Sequence, residues 1–163
     1  MNKNYFSHET SIIDKGAVIG DGTNIWHWTH IRESARIGNN CNIGQNVYIG
    51  EANIGNNVKI QNNVSIYDGL IIEENVFIGP SVVFTNVKVP RAEIDQKKLY
   101  SQTIIKAGCT IGANSTIVCG ITLNEYCFIA AGAVVTKDVD PYALMSGVPA
   151  RKIGTVNKDG NKL

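Results

Sequence analysis

Residues 54–66 read IGNNVKIQNNVSI, and the regular spacing within them decides the fold. Ile54, Ile60 and Ile66 stand six residues apart, and a valine follows each of the first two after four residues. The same period extends along the chain in both directions. Large apolar residues occur with this six-residue period at seven positions within residues 13–49, at six within 54–84 and at six within 105–135. A run of this length is an internal repeat, which must be interpreted before any local pattern.

A period of six matches neither the 3.6 residues of a helical turn nor the alternation of a simple strand. It describes a short strand and a tight turn, and three such units close a triangular coil. Glycine or asparagine, which tolerate positive φ, stands three residues after most of the apolar positions. These residues are Gly16, Gly22, Asn40, Asn46, Asn57, Asn63, Gly69, Asn75, Gly108, Asn114, Gly120 and Gly132. The sequence predicts an all-β fold, a parallel β-solenoid of about six coils stacked ~4.8 Å apart.

The repeat also predicts how the chain is organised. We expect a single domain over residues 1–163, with coils over about 11–139, an extruded loop over about 86–104 and a C-terminal segment over 140–163. The loop is expected because the period is lost there and the residues are charged and irregular. Long irregular loops in compact proteins are often functional, although a tolerated surface insertion has the same pattern. The residue missing between Ile49 and Ile54 indicates a tightened corner.

Composition excludes several classes of protein. The 163 residues carry a formal charge of +1, which disfavours a nucleic-acid partner. No apolar run approaches the ~20 residues of a membrane span, so we expect no membrane insertion. The N-terminus has no apolar stretch typical of a signal peptide. We therefore expect a cytoplasmic protein.

Residues 25–30, IWHWTH, interrupt the repeat with both tryptophans of the chain and two of its three histidines. Counting three faces per coil places His30 near Tyr48 on the neighbouring coil. Two interpretations remain open. Trp26 and His27 either form a subunit contact, where tryptophan supplies buried area, or belong to a substrate pocket.

Residues 130–139, AAGAVVTKDV, and 146–153, SGVPARKI, resemble the C-terminal signature of the hexapeptide-repeat acyltransferases. The resemblance implies a left-handed parallel β-helix, a handedness that packing rules alone do not favour. It also implies acetyl-CoA as co-substrate, with small residues against the pantetheine arm and cationic residues near the phosphates. The residues that match are Gly112, Ala113, Ala130, Ala131, Lys137, Pro149, Arg151 and Lys152.

The resemblance is narrower over the central coils. The strings IWHWTH at 25–30, IQNNVSIYD at 60–68 and FTN at 84–86, with Pro90-Arg91, are similar to N-acetyltransferases of nucleotide-linked 3-amino-3-deoxy sugars. This similarity implies a homotrimer with its sites between subunits. It also implies a UDP- or dTDP-linked amino sugar as acceptor, used in bacterial lipopolysaccharide or glycan synthesis.

The chemistry requires a neutral amine that attacks a thioester carbonyl and a donor for the oxyanion. Asn86 ends the last ordered repeat before the loop, and we expect it to orient the amine, so that catalysis rests mainly on positioning. His30 is a second catalytic candidate. Tyr67 and Asp68 are expected substrate contacts, together with Trp26 and His27. Arg91 is the candidate for the nucleotide diphosphate.

Other functions were weighed against this one. A γ-type carbonic anhydrase needs three histidine ligands across an interface, and the absence of histidine after His30 disfavours it. A non-catalytic or ice-binding solenoid would carry threonine ladders on one face. An O-acetyltransferase of a sugar or serine hydroxyl would need a stronger base than Asn86. No metal site or disulfide is expected, because Cys41, Cys109 and Cys127 fall in the inward column and Cys119 is expected to face outward.

Overall fold

The computed structural model describes residues 4–96 and 99–163, and no α-helix occurs among them. Twenty-two short strands form three sheets, one on each side of a prism. Sheet A contains β1 (Phe6–Ser7), β4 (Asn24–Ile25), β7 (Asn42–Ile43), β10 (Lys59–Ile60), β13 (Phe77–Ile78), β16 (Thr110–Ile111), β19 (Phe128–Ile129), β21 (Ala143–Ser146) and β22 (Arg151–Thr155). Sheet B contains β2 (Ile12–Ile13), β5 (His30–Ile31), β8 (Tyr48–Ile49), β11 (Ser65–Ile66), β14 (Val83–Phe84), β17 (Thr116–Ile117) and β20 (Val134–Val135). Sheet C contains β3 (Val18–Ile19), β6 (Arg36–Ile37), β9 (Asn53–Ile54), β12 (Leu70–Ile72), β15 (Thr103–Ile105) and β18 (Thr122–Leu123).

The six-residue period is the period of these strands, so the prediction of a parallel β-solenoid is confirmed. Each strand from β1 to β17 pairs in parallel with the strand three places further along the chain. The repeating isoleucine of each strand points inward, and Ile43, Ile60 and Ile78 are 0% exposed. The expected count of about six coils was too low. Sheet A holds eight parallel strands, because β1 and β21 extend it at its two ends.

The corners follow the glycine and asparagine column. All twelve residues of that column have positive φ, as at Asn57 with φ 56°. Trp28, Ser81 and Tyr126 occupy the same place in their repeats and share this conformation, with φ of 55°, 59° and 56°. We call the turns that lead from sheet A to sheet B the A–B corner (8–11, 26–29, 44–47, 61–64, 79–82, 112–115 and 130–133). The B–C corner comprises the turns at 14–17, 32–35, 50–52, 67–69, 85–102, 118–121 and 136–138.

Several boundaries differ from those expected. The solenoid begins at Phe6 rather than about residue 11, because the Phe6 N–H donates to Thr23 O at 2.9 Å. The extruded loop ends where β15 begins at Thr103, not at 104, because Thr103 pairs with Leu70. The C-terminal segment is not a simple tail. Its strand β21 continues sheet A and β22 returns antiparallel to it.

The expectation that Cys119 faces solvent is wrong. It is 0% exposed, although it lies outside the central hydrophobic cluster. The extruded loop covers it: the Cys119 N–H donates to Thr85 Oγ1 at 2.9 Å, and a Cβ on Gly120 would lie 2.9 Å from Lys88 Cε. A position that points away from the prism is therefore buried by a non-local contact.

Candidate active site

A cavity of about 740 Å³ opens at the B–C corner, between the prism and the base of the extruded loop. Side chains from three successive turns form its floor, and the loop supplies one wall. The lining residues are Arg32, Tyr48, Glu51, Asn53, Tyr67, Asp68, Gly69, Leu70, Ile71, Asn86, Tyr100 and Gln102. Three of the residues singled out in the sequence, Tyr67, Asp68 and Asn86, are thus brought together here.

Asp68 is held by the turn that contains it. β11 ends at Ile66, and Asp68 Oδ1 then accepts a hydrogen bond of 2.8 Å from the backbone N–H of Glu51 on the preceding turn. The Gly69 N–H donates in turn to Glu51 O at 2.9 Å. These bonds use one carboxylate oxygen of Asp68 for structure, so the second oxygen can accept from a ligand.

Asn86 stands where the loop leaves the prism. β14 ends at Phe84, and the Asn86 carbonyl accepts from the Ser101 N–H at 2.9 Å. This bond joins the two ends of the loop across its base. The half-buried Asn86 therefore lines the cavity at a point where its backbone is fixed.

An aromatic series crosses the floor of the cavity and leaves it on the far side. The ring of Tyr48 lies 5.9 Å from that of Tyr67 and 5.9 Å from that of His30. Tyr48 and Glu51 were not singled out from sequence. They sit one turn above Tyr67 and Asp68, so counting residues by turn around Asp68 would have found them.

Arg32 is the cation of this cavity, and sequence reasoning missed it. Its guanidinium donates to both carboxylate oxygens of Glu33 at 3.1 Å and to the Tyr48 hydroxyl at 3.4 Å. Asp14 Oδ2 lies 3.5 Å from Arg32 Nε. The hydrogen bond from Arg32 lowers the pKa of Glu33 to about 2, and the bond to Glu33 raises the pKa of Arg32. Because Arg32 is paired, the acidic residues Glu51 and Asp68 dominate the charge of the cavity.

Four other candidates lie outside this cavity. His30 Nε2 is 3.2 Å from both oxygens of Asp14, and its ring lines a second cavity of about 250 Å³ beyond Tyr48. Trp26 donates from Nε1 to Asn42 Oδ1 at 2.9 Å and packs against the N-terminal strand, and the His27 ring stacks 3.6 Å from that of His8. Arg91 is exposed on the loop and does not line the cavity.

The residues matched to the coenzyme signature fall into two groups. Gly112-Ala113 and Ala130-Ala131 follow β16 and β19 on neighbouring turns of the A–B corner. A Cβ on Gly112 would lie 2.5 Å from the Ala131 backbone nitrogen, so the two turns touch through their backbones. The second group, Lys137, Arg151 and Lys152, lines a cavity of about 280 Å³. Pro149 is exposed on the turn between β21 and β22.

Lys137 of this cationic group lies on the same corner as the acceptor cavity, whereas Arg151 and Lys152 belong to β22 of sheet A. Lys137 follows β20, which is two strands from β14 in sheet B, so it stands about 10 Å along the prism from Asn86 at a strand spacing of ~4.8 Å. Lys152 Nζ lies 3.5 Å from Asp140 Oδ2. The outer face of sheet B therefore lies between the small residues Gly112-Ala113 and Ala130-Ala131 at the A–B corner and Lys137 at the B–C corner.

Two features are missing from residues 4–96 and 99–163. No group of three or more histidine, cysteine, aspartate or glutamate side chains is placed to hold a metal ion there. Nor is there, in that part of the chain, a helix with the length and hydropathy to span a bilayer.

The chain belongs to the bacterial transferase hexapeptide family. The model of that family, which describes six repeats, matches residues 16–51, 51–86 and 102–137. These segments cover most of the prism and omit the extruded loop. The match agrees with the strand period and with the corner geometry.

Curated relatives with named activities match part of the chain. The chain is 48% identical over 64 residues to dTDP-3-amino-3,6-dideoxy-alpha-D-galactopyranose 3-N-acetyltransferase of Aneurinibacillus thermoaerophilus, which is 39% of this chain and 33% of that protein. The chain spans a third or less of the length of the first curated relatives that it matches.

Two solved structures share the fold. One is a maltose O-acetyltransferase of Clostridium difficile, 25% identical, with a TM-score of 0.59 over 72% of this chain and 67% of that one. The other is a variant of GDP-perosamine N-acetyltransferase of Caulobacter crescentus in complex with CoA and GDP-perosamine. It is 15% identical, with a TM-score of 0.59 over 92% of this chain and 56% of that one.

Proposed function

We propose that the protein is an acetyl-CoA-dependent N-acetyltransferase that acts on the 3-amino group of a UDP- or dTDP-linked sugar. The observation that carries the proposal is the cavity that joins Tyr67, Asp68 and Asn86 on the corner that also bears Lys137. The partial similarity to a dTDP-3-amino-sugar N-acetyltransferase supports the same acceptor class. The product would serve bacterial surface polysaccharide or glycan synthesis.

The charges of the cavity suit an amine. Glu51 and Asp68 attract the protonated amino group, and the free oxygen of Asp68 can accept a hydrogen bond from it. The ammonium group loses one proton to water, and the Asn86 amide can then orient the neutral amine towards the thioester carbonyl. Attack forms the new C–N bond, collapse breaks the C–S bond, and the departing thiolate or water takes the amine proton. Positioning thus supplies most of the rate enhancement.

Coenzyme A would lie along sheet B. The Gly112-Ala113 and Ala130-Ala131 turns offer backbone that a pantetheine arm can approach closely, because no large side chain projects there. Lys137, Arg151 and Lys152 would pair with its phosphates.

We also propose a cytoplasmic homotrimer with its sites between subunits. Four exposed apolar side chains among the described residues support an interface. On sheet B, Ile12 is 59% and Val83 is 48% exposed. On the loop, Val89 is 67% and Ile94 is 54% exposed. The four free cysteines suit a reducing compartment.

An O-acetyltransferase is the second candidate, because the chain shares its fold with a maltose O-acetyltransferase and is 25% identical to it over 72% of its length. A hydroxyl acceptor must lose its proton to a base as it attacks. His30, the one histidine near the site, lies beyond Tyr48 and is paired with Asp14. This geometry favours the amine.

The test is a panel of acceptors assayed with acetyl-CoA, with thiol release as the readout. The panel holds UDP- and dTDP-linked 3-amino sugars and, as matched controls, the same sugars with a 3-hydroxyl group. We expect release with at least one amine and none with its hydroxyl counterpart. No release with any amine would contradict the proposal, and release with the hydroxyl sugar alone would favour the second candidate.

A further inference from the structure

Trp28 is the least expected residue of the prism. It occupies the corner column that elsewhere holds glycine or asparagine, and its φ is 55°. Positive φ is strained for a bulky side chain. The side chain gains little burial in return, since it is 63% exposed. Residues held in this way cluster at ligand sites.

Trp26, two residues earlier, provides a contrast. Its indole N–H donates to Asn42 Oδ1, and its ring lies 5.4 Å from that of Phe6. Packing of the N-terminal strand therefore explains Trp26. Trp28 has a tilted ring contact with its neighbour His27, at 5.7 Å, and its backbone N–H donates to Thr10 Oγ1 at 3.1 Å. The backbone bond needs no particular side chain at position 28, so neither contact explains a strained tryptophan.

Trp28 forms one wall of the second cavity, which has a volume of about 250 Å³. His30 and Tyr48 supply two more aromatic rings, and Asn46 and Asn63 supply amides. Asn46 Nδ2 donates to Asn63 Oδ1 at 2.9 Å. This bond uses a donor of Asn46 and an acceptor of Asn63, so the pair keeps an acceptor on Asn46 and donors on Asn63.

The second cavity adjoins the acceptor cavity at Tyr48. Tyr48 lines both of them, with Trp28 on one side and Asp68 on the other. The Tyr48 hydroxyl lies 3.4 Å from Arg32 Nη1 at the junction. Asn46 lines the second cavity and Glu51 the acceptor cavity, and they are five residues apart. Their Cα atoms therefore lie within about 18 Å, the length of five extended residues. An extended nucleoside diphosphate sugar can bridge that distance.

We propose that the Trp28–His30–Tyr48 cavity binds the nucleobase of the acceptor, a pyrimidine with adjacent N–H and C=O groups such as uracil or thymine. The base stacks on the Trp28 indole, because every base has a π-face that an aromatic ring can cover. The amides of Asn46 and Asn63 meet its imide edge. The diphosphate passes the Tyr48 hydroxyl and Arg32, and the sugar reaches Asp68 and Asn86. This inference rests on the proposed function and assigns its nucleotide half.

The experiment measures binding of UDP and dTDP to the full chain by calorimetry, without acetyl-CoA or an amine. The test variant is Trp28→Asn, which places the usual corner residue at this φ. Tyr142→Asn is the matched control, because Tyr142 is also an aromatic residue at positive φ, 58°, and it stands immediately before β21. Pyrophosphate is the base-free probe.

We expect Trp28→Asn to weaken the tighter of the two nucleotides at least about tenfold, as loss of a stacked base predicts. Its affinity for pyrophosphate and its Tm should not fall, and Tyr142→Asn should leave nucleotide binding within about twofold. Unchanged nucleotide affinity in Trp28→Asn, an equal loss for pyrophosphate, or a lowered Tm would overturn the inference.

The outcome is separable from that of the proposed function. A chain that binds UDP or dTDP through Trp28 but acetylates no amine contradicts the proposed reaction and leaves the base site standing. A chain that acetylates a nucleotide-linked amine with the same KM in Trp28→Asn overturns the base site and leaves the reaction standing.

Discussion

Asn86 is the residue proposed to orient the amine, because its backbone is fixed at the base of the loop and the residue lines the cavity. We expect Asn86→Ala to lower kcat at least about tenfold, which corresponds to roughly 1.4 kcal/mol of barrier. Steady-state kinetics with the best acceptor of the panel measure this. Asn24→Ala, on the outer face of sheet A, is the control. A loss in kcat below about threefold would show that Asn86 does not orient the amine.

The Arg32–Glu33 pair predicts a dependence of stability on pH. Hydrogen bonding to Arg32 lowers the pKa of Glu33 from 4.5 to about 2 in the folded chain. A lowered folded pKa stabilises the fold above the unfolded value, and this stabilisation is lost as pH falls from about 4.5 to 2. We expect Glu33→Gln to lower Tm slightly at pH 6, because exposed pairs contribute little, and to leave it unchanged near pH 2. An equal difference at both pH values would contradict this cause.

The four cysteines predict an unreactive native protein. All are buried, and burial raises the pKa of the Cys41 thiol. The hydrogen bond with Cys109, whose sulfur lies 3.5 Å away, raises the pKa of Cys127. Because the thiolate is the reactive form, we expect Ellman's reagent to label the native chain far more slowly than the chain in urea. Rapid native labelling of any thiol would contradict the burial of that residue.

At the residue scale, sequence reasoning singled out three residues that line the acceptor cavity. Tyr67, Asp68 and Asn86 could be found because they follow strands whose positions the repeat sets. Arg32 could not, because its importance depends on the rotamers that bring it to Tyr48 and Glu33. Arg91, the candidate for the nucleotide diphosphate, does not line the cavity, because the path of the loop depends on tertiary contacts.

The turns of the A–B corner combine structural and functional constraints, and these can be separated. A Cβ on Gly112 would meet the Ala131 nitrogen at 2.5 Å and the Ala130 carbonyl carbon at 2.8 Å. Gly112→Ala should therefore destabilise the fold by about 1–3 kcal/mol, as overpacking does. For a chain of this size that lowers Tm by several degrees, measurable by calorimetry. An unchanged Tm would mean that the two turns can move apart.

Ala131, by contrast, is exposed and should tolerate a larger side chain. We expect Ala131→Val to keep Tm within about 1 °C, since surface substitutions cost little, and to raise KM for acetyl-CoA several-fold. Val18→Ala, exposed on sheet C, is the control. If Ala131→Val leaves this KM unchanged, the pantetheine arm does not lie on that turn.

Elements differ in how far the sequence foretold them. The corners were predictable because positive φ is an intrinsic property of glycine and asparagine, and all twelve positions agree. The extruded loop was predictable in place but not in path, because its contacts with Gly120 and Cys119 are non-local. The hairpin of β21 and β22 was missed because its residues lack the six-residue period.

The whole molecule is a stack in which each turn contacts its two neighbours. Central turns are therefore packed on both sides, whereas Ile13 and Ile19 at the N-terminal end are only partly buried. We expect Ile60→Ala, at a fully buried position, to cost about 2–5 kcal/mol in the free energy of unfolding. Ile13→Ala should cost clearly less. Urea denaturation measures both, and equal costs would contradict an end effect.

The spacing of the turns has a consequence for what the protein could be made to do. Asn86 and Lys137 follow strands β14 and β20, with one turn, that of β17, between them. Positions along the prism are therefore spaced in steps of ~4.8 Å. Adding or removing a complete turn between these strands would move the proposed coenzyme-binding residues relative to the acceptor cavity by one such step, without altering the lining of either site. The reach between coenzyme and sugar is in this sense encoded as an integer, the number of repeats.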